Sequence, residues 1–353
     1  MAKNNLHKHR KYIKRCFDLA RLGAGSVAPN PLVGAVLVHQ GKIIGEGWHK
    51  KYGDAHAEVN ALANVADENR NLIIESTLYV SLEPCCIYGR TPPCTSLIIN
   101  HKIPRVVISC LDQTPGVAGR GVELLREAGV EVITGILEKE GKALSQIRNT
   151  FVTTNRPYIL LKWAQSADGF IGKSGEQVWL TQPITKRIVH KWRAETAAIL
   201  VGTNTALTDN PQLTNRHYFG HSPLRIVLDR SAKIPFEHHL YAGTESTWMI
   251  SEQIKPAGLH PTIEWKQLTF DDKLLQNLLE LLAENGKSSL MVEGGSQLLN
   301  SFIKAGLWDE ARIFTTKKSI HAGIAAPLIQ GKRRSAVMIG LDKLEILYQN
   351  DLS

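Results

Sequence analysis

The stretch SLEPCCIYGRTPPC, residues 81–94, contains three of the five cysteines in the chain. It overlaps STLYVSLEP (76–84), whose apolar residues predict a β-strand that leads into the cysteines. Upstream, HAEVNALANVA (56–66) has apolar residues at helical spacing and predicts a helix. Potential metal ligands therefore stand at the start of a helix and at the end of a strand. The fold of this region is expected to form around them.

Composition limits the classes of protein to consider. The chain has 353 residues, of which 43% are apolar and 21% charged, as in ordinary globular proteins. No apolar run approaches the roughly 20 residues that cross a bilayer, so we expect no membrane partner. Five cysteines, an odd number without an evident secretion signal, argue against a disulfide framework and for a reducing cytoplasm.

The charge balance points to anionic partners. The formal net charge is +9, which suits either nucleic acid or small phosphorylated molecules. The basic N-terminal segment would also suit a transit peptide, but its apolar residues recur at helical spacing. We therefore interpret this segment as a helix that covers a core with one face.

Strands and helices alternate along the chain, as is typical of α/β domains. The segment VGAVLVHQGKIIGEGWH (33–49) predicts a β-hairpin. The segment SSLMVEGGSQLLNSFIKAG (288–306) predicts a strand, a Gly-Gly turn and a helix. The polar run 138–157 predicts a domain boundary near residue 150. We expect one α/β domain over 1–150 and a second over 151–353.

The residues His56, Glu58 and Cys85 match most of the signature of zinc-dependent deaminases. A catalytic zinc has three protein ligands and leaves its fourth position to water, whose pKa it lowers. His56 would supply a nitrogen and two cysteines would supply thiolates. Glu58 would not bind the metal but would transfer protons. These deaminases usually carry the second cysteine three residues after the first, where this chain has Tyr88.

The second thiolate is therefore either Cys86 or Cys94. Adjacent side chains diverge in strands and helices, so Cys85 and Cys86 cannot easily complete one tetrahedral site. Cys94 follows Pro92-Pro93, which favours the first turn of a helix, where backbone N–H groups stabilise a thiolate. We assign zinc to His56, Cys85 and Cys94. A purely structural zinc would need a fourth protein ligand, and none is evident.

The blocks APNPLVGAVLV (28–38), HAEVNAL (56–62) and EPCCIYGRTPPC (83–94) closely resemble the bifunctional deaminase/reductase family of riboflavin biosynthesis. RPYILLKWAQSADGFIG (156–172) and LMVEGGSQLL (290–299) extend the resemblance over nearly the whole chain. It implies a cytidine-deaminase-like α/β/α domain followed by a dihydrofolate-reductase-like α/β domain. The implied reactions are zinc-dependent deamination of 2,5-diamino-6-ribosylamino-4-pyrimidinone 5′-phosphate and NADPH-dependent reduction of its ribosyl group to ribityl.

The resemblance also implies three sets of binding residues. For the deaminase substrate they are Asn30, His49 and Arg90. For NADP they are Ala164, Trp179, Thr205, Asp209, Gly295, Ser296, Gln297, Leu298, Leu299, Asn300 and Ser301. For the reductase substrate they are Gln177, Arg193, Leu213, Arg216 and Glu293. Elementary chemistry supports several of them, because a glycine turn before a helix binds phosphate and arginines fork onto phosphates. Lys162, at the end of the first reductase strand, is expected to assist charge stabilisation or proton transfer.

The chain departs from the family pattern at three places. Ile87 stands where a histidine is expected after the paired cysteines, which removes one hydrogen bond to the deaminase substrate. Gln177 stands where some members have serine, and Lys142 and its neighbours replace a cysteine-rich linker motif. None of the three changes affects the proposed metal ligands.

Two other functions fit parts of the sequence. A tRNA deaminase with a basic C-terminal RNA-binding domain would suit the net charge, but it would carry the shorter cysteine spacing. A zinc-stabilised binding protein without catalysis would not need Glu58. We therefore expect a phosphorylated pyrimidine and NADPH as partners, no nucleic acid, and a homo-oligomer as one candidate assembly state.

Overall fold

The structure, a computed structural model, describes residues 2–89 and 92–350. The chain divides into two compact units, one ending at Asn155 and the other beginning at Arg156. The expected boundary is near residue 150. Among the described residues, no helix is both long and apolar enough to cross a membrane.

The first unit is a mixed five-stranded sheet between two layers of helices. Its strands are β1 Gly34–His39, β2 Lys42–Trp48, β3 Thr77–Leu82, β4 Arg105–Cys110 and β5 Glu131–Ile133. Its helices are α1 Ala2–Arg21, α2 Ala57–Ala63, α3 Cys94–Asn100, α4 Arg120–Glu127 and α5 Glu138–Thr154, with a 3-10 helix at Asp67–Glu75.

The sheet of the first unit has the strand order β2-β1-β3-β4-β5. Strand β1 pairs antiparallel with β2 and β3, whereas β3, β4 and β5 run parallel. The apolar side of α1 packs on one face through residues such as Ile13 and Phe17. Helices α2, α3 and α4 cover a second core on the other face. The predicted hairpin, helix α2 and strand β3 are confirmed.

Glycines in β2 allow α2 to lie directly on the sheet. A Cβ on Gly47 would stand 2.3 Å from the backbone nitrogen of Ala61, and one on Gly45 would stand 2.3 Å from the Ala61 carbonyl oxygen. No side chain fits at such distances. This close packing fixes the helix that carries His56 at its N-terminal end and Glu58 in its first turn.

The polar run at the expected domain boundary folds as a helix and does not form an irregular linker. Residues 138–154 form helix α5, which contacts β4 of the first unit. The positions that it buries are Gly141 and Ser145, so the helix carries no apolar stripe that periodicity could detect.

The second unit is a nine-stranded sheet with a separate two-stranded sheet. Its strands are β6 Tyr158–Gln165, β7 Phe170–Gly172, β8 Ala198–Gly202, β9 Leu224–Leu228, β10 Thr247–Ser251, β11 Ile263–Gln267, β12 Ser289–Glu293, β13 Glu310–Thr315, β14 Ile324–Ala325, β15 Lys332–Ile339 and β16 Asp342–Tyr348. Its helices are α6 Pro183–Glu195, α7 Thr203–Asp209, α8 Leu274–Glu284 and α9 Ser296–Lys304.

The large sheet has the order β11-β10-β9-β8-β12-β6-β13-β16-β15. In this order, neighbouring strands run parallel from β11 at one edge as far as β13. Strands β16 and β15 then add an antiparallel edge. An apolar core fills each face of the sheet. In open parallel sheets, ligands bind beyond the carboxyl ends of the strands. Here β6, β8 and β12 end at that edge with Lys162, Gly202 and Glu293 near their ends.

Candidate active sites

Three side chains in the first unit converge on one point. His56 caps α2, Cys85 follows β3, and Cys94 is the first residue of α3. The potential ligand atoms of these residues lie within 4.8 Å of one another. The Nδ1 atom of His56 is 3.4 Å from the sulfur of Cys85 and 3.3 Å from that of Cys94. Cys86, the alternative in the sequence, does not belong to this group.

The chemistry of this donor set fits zinc. One imidazole nitrogen and two sulfurs are the ligands that zinc prefers, and three protein ligands leave one position open. The Cys94 backbone N–H donates to the sulfur of Cys85 at 3.3 Å. Hydrogen bonding from the Cys94 thiol lowers the pKa of Cys85. The site therefore stabilises a thiolate, the form that binds a metal.

Glu58 lies close to the ligands without being one of them. It is 3% exposed, and burial raises the pKa of its carboxyl group to about 7, with the neighbouring Cys85 adding to the effect. Helix α2 places Glu58 two residues after His56, in the wall of the same cavity. The carboxyl group is thus placed to exchange protons with a molecule bound there.

A cavity of 340 Å³ opens in front of the ligands. The predicted substrate contacts Asn30 and His49 line it, and the Asn30 amide donates to Nε2 of His49 at 3.1 Å. His49 Nδ1 donates to the Ala55 carbonyl at 3.1 Å, and burial lowers the pKa of this histidine. Ile87 also lines the cavity and contributes an apolar surface there. Arg90, the third predicted contact, lies outside the described residues.

Glu83, two residues before Cys85, anchors the loop between β4 and α4. Its carboxylate accepts backbone N–H bonds at 2.9–3.2 Å from four loop and helix residues, namely Asp112, Gly119, Gly121 and Val122. The side chain is 4% exposed. Because Asp112 and Thr114 of this loop line the cavity, Glu83 fixes one of its walls.

The second unit has two adjoining cavities, of 990 Å³ and 470 Å³, beyond the strand ends. Both are lined by Thr205, Asp209 and Gly295. The larger also brings together the predicted NADP contacts Ser296, Gln297, Leu298, Asn300 and Ser301. The smaller brings together Ala164, Trp179 and the five predicted substrate contacts Gln177, Arg193, Leu213, Arg216 and Glu293. The predicted cofactor contacts thus line both spaces, whereas the predicted substrate contacts line only the smaller one.

The Gly-Gly turn before α9 requires glycine. Gly294 and Gly295 have φ angles of +91° and +60°, and a Cβ on Gly294 would stand 2.8 Å from the Thr205 side chain. Gly295 and the first residues of α9, Ser296 and Gln297, line the larger cavity, and the N-terminus of a helix is suited to bind phosphate. Leu299 differs from its expected role. Its side chain is fully buried in the core and lines neither cavity, because it lies on the inner side of α9.

A buried charge cluster forms one wall of the smaller cavity. Arg193 forks onto Glu293 through Nε–Oε1 and Nη2–Oε2 contacts of 3.2 and 2.8 Å. Lys162 lies beside Glu293 in the register of β6 and β12. Burial opposes ionisation of Glu293, but Arg193 and Lys162 outweigh it and lower its pKa to about 2. Burial also lowers the pKa of Lys162. The sequence suggests that Arg193 binds a phosphate. In the structure its guanidinium is instead paired with the Glu293 carboxylate.

The opposite wall of this cavity is more exposed. Trp179 is 62% exposed, with the Lys186 ammonium 4.2 Å from the centre of its ring. Gln177 donates to the Asp209 carbonyl at 3.4 Å. Arg216 donates to the side chains of Gln212 and Thr214 and has no carboxylate partner among the described residues. It remains a cation available to an anion.

Sequence reasoning missed several lining residues. In the first unit these are Asp112, Thr114 and Arg148, and in the second they include Lys173 and Arg230. They lie in loops or on a polar helix, so no motif or periodicity marks them. Only the folded arrangement places them beside the predicted residues.

Two family models match the chain. The cytidine and deoxycytidylate deaminase zinc-binding region matches residues 6–110, and the RibD C-terminal domain matches residues 157–345. The riboflavin biosynthesis protein RibD of Aquifex aeolicus is 39% identical over 326 residues, which are 90% of this chain and 89% of that protein. The chain belongs to the RibD family. The RibD of Actinobacillus pleuropneumoniae is also 39% identical, covering 91% of this chain and 85% of that protein.

A solved RibD-type structure has the same fold throughout. The diaminohydroxyphosphoribosylaminopyrimidine deaminase/5-amino-6-(5-phosphoribosylamino)uracil reductase of Thermotoga maritima superposes with a TM-score of 0.89. It is 35% identical and covers 98% of this chain and 100% of its own. As a member of this family, the chain is a bifunctional deaminase and reductase of riboflavin biosynthesis that uses zinc and NADPH. The predicted family, fold class, enzyme type and cofactors are confirmed.

Proposed function

We propose that this member of the RibD family deaminates 2,5-diamino-6-ribosylamino-4-pyrimidinone 5′-phosphate and then reduces its ribosyl group to ribityl. The product would be 5-amino-6-(5-phosphoribitylamino)uracil. The name of the Thermotoga maritima protein, whose fold covers almost the whole chain, supports these substrates. We assign deamination to the unit that ends at Asn155 and reduction to the unit that begins at Arg156.

One observation carries the proposal for the first reaction. A histidine nitrogen and two cysteine sulfurs stand within 4.8 Å, with the buried carboxyl group of Glu58 in the wall of the same cavity. A structural metal site would need a further protein ligand, and the described part of the chain supplies only three. Three ligands and an adjacent proton carrier favour hydrolysis.

The residues of the first unit then have distinct roles in deamination. His56, Cys85 and Cys94 would hold the zinc, which when bound lowers the pKa of water toward neutrality. Glu58 would transfer one proton of the attacking water to the ring nitrogen and, when the C–N bond breaks, the second proton to the departing ammonia. Asn30 and His49 form a hydrogen-bonded pair in the cavity wall and would orient the pyrimidine.

The second reaction would take place in the two adjoining cavities. NADPH supplies a hydride when bound, and the turn at Gly295 with the first residues of α9 would hold its phosphates. The opened imine form of the ribosyl group would gain the hydride at C1′ and a proton at nitrogen. Lys162 would supply or stabilise that proton, while Glu293 and Arg193 hold Lys162 in a balanced charge cluster. Arg216 remains free to contact the substrate phosphate.

Partners and location follow from the same reasoning. A homo-oligomer is one assembly that we propose, since the β15–β16 hairpin exposes the apolar side chains of Val337, Met338 and Leu341. Five free cysteines suit a reducing cytoplasm. The matched families give no support to a tRNA deaminase. Binding of tRNA with a steep dependence on salt would contradict this assignment.

The proposed reactions can be observed separately. The zinc-loaded protein is incubated with the phosphorylated diaminopyrimidine, with and without NADPH, while ammonia and NADPH absorbance are followed. We expect ammonia in both samples and loss of NADPH absorbance only after deamination has begun. Absence of ammonia from the zinc-loaded protein would contradict the proposed substrate.

A further inference from the structure

Arg148, on helix α5, projects into the wall of the deaminase cavity. It is the only arginine or lysine among the described residues that line this cavity. Its Nε atom is buried and makes no hydrogen bond, and its Nη2 atom reaches Thr114 Oγ1 only at 3.5 Å. No carboxylate of the described residues lies within ion-pair distance of this guanidinium.

Four acids line the cavity, namely Asp54, Glu58, Glu83 and Asp112, and among the described residues none of them forms an ion pair with Arg148. Glu83 accepts four backbone N–H bonds, at Asp112, Gly119, Gly121 and Val122. Asp112 accepts the backbone N–H and the hydroxyl of Thr114 through one oxygen, at 2.7 and 2.6 Å. Glu58 lies beside the metal ligands. The partly buried guanidinium thus has no carboxylate at ion-pair distance among the described residues, and Asp112 acts on it only from farther away.

An unpartnered buried donor is costly, so such groups usually have a partner in some state of the protein. A guanidinium has five donors in a planar fork that matches the oxygens of a phosphate. The Thr114 hydroxyl, held by Asp112, keeps one edge of the Arg148 fork near the cavity. The buried Nε–H shares this side edge with Nη2 and has no hydrogen-bond partner.

We propose that Arg148 binds the phosphate of the deaminase substrate and so makes the first reaction selective for phosphorylated pyrimidines. This inference rests on the proposed function, to which it adds a specificity-determining residue. Arg148 lies on α5, outside the segment of residues 6–110 that the deaminase family model matches. The helix at the expected domain boundary is therefore part of the substrate site.

The test compares the phosphorylated pyrimidine with its dephosphorylated form in the zinc-loaded, full-length protein. For Arg148→Gln we expect the KM of deamination to rise about 10- to 100-fold with the phosphorylated substrate, the range for a lost charge-assisted hydrogen bond. With the dephosphorylated substrate, kcat and KM should stay near those of the wild type. Arg148→Lys, which keeps the charge without the fork, should fall between the two.

Lys139→Gln is the matched control, because it removes one positive charge from an exposed position of the same helix. It should leave the KM for both substrates unchanged. If Arg148→Gln leaves the KM for the phosphorylated substrate unchanged, or raises it equally for both substrates, the proposal is wrong. A wild-type protein that releases no ammonia would contradict the proposed function instead.

A second measurement needs no turnover. Calorimetric titration of the zinc-loaded protein with ribose 5-phosphate should show one binding site fewer in Arg148→Gln than in the wild type. Lys139→Gln should keep the wild-type number. Equal numbers of binding sites in all three proteins would show that Arg148 does not bind the phosphate. This result would not depend on which pyrimidine is the substrate of the deaminase.

Discussion

At the scale of single residues, the two candidate cysteines occupy different environments. Cys94 is 1% exposed and begins helix α3, and its own N–H donates to the sulfur of Cys85, whereas Cys86 lies outside the group of potential ligands. The structure therefore groups Cys94, and not Cys86, with His56 and Cys85.

We predict that Cys94→Ser loses the bound zinc and that Cys86→Ser keeps it. A serine hydroxyl remains protonated near neutral pH and is a poor ligand for zinc, while Cys86 supplies no ligand atom. Metal analysis of both purified variants, with the wild type at one zinc per chain, measures the outcome. Full retention of zinc by Cys94→Ser would refute the ligand assignment.

At the scale of elements, Glu83 couples strand β3 to the loop that precedes α4. Its carboxylate receives four N–H bonds, and Gly121 must be glycine there because a Cβ would stand 2.4 Å from the Pro84 carbonyl oxygen. The loop in turn carries Asp112 and Thr114 into the cavity. One buried acid therefore holds a wall of the site in place.

Glu83→Gln should loosen this loop. The amide of glutamine places an N–H donor opposite backbone N–H donors, so at least two of the four hydrogen bonds are lost. We expect amide hydrogen exchange of residues 112–122 to become about 10- to 100-fold faster, with slower ammonia release. Glu131→Gln removes a half-exposed partner of Arg105 and should change neither measurement. Unchanged exchange in Glu83→Gln would contradict the anchoring role.

Elements also show how far sequence reasoning extends. The periodicity of β1, β2, α2, β3 and α9 predicted those elements, since each buries an apolar face. Helix α5 was not predicted because Gly141 and Ser145 occupy its buried positions. Arg148 could not be found for the same reason, as a polar residue on a polar helix carries no local signal. The His56, Cys85 and Cys94 group was predictable because the chemistry of zinc restricts both residue type and spacing.

At the scale of the whole molecule, each unit has its own cores. The two large clusters of the second unit lie on opposite faces of its nine-stranded sheet. Arg156, at the start of this unit, is held by a bidentate ion pair with Asp309, at 2.7 and 2.8 Å. The proposed metal ligands all belong to the other unit. Reduction should therefore not depend on zinc.

We predict that a fragment of residues 156–353 folds alone and binds NADPH in the presence of a chelator. Its apolar cores and its cofactor cavity are complete within the fragment. Circular dichroism verifies folding, and calorimetric titration with NADPH measures binding against the full-length protein. A folded fragment without affinity for NADPH would contradict the assignment of the cofactor cavity.

Two active sites that act independently on one chain should respond separately to the single substitution Glu58→Gln. The substitution keeps the volume of the side chain and leaves the three ligands unchanged, so zinc should remain bound. It removes the group that accepts the proton of water, a contribution typically worth about 10²–10⁴-fold in rate. Ammonia release should fall by that factor, while the same preparation oxidises NADPH at the wild-type rate with the already deaminated pyrimidine. Normal ammonia release, or equal loss of both activities in a folded, zinc-loaded protein, would contradict the account.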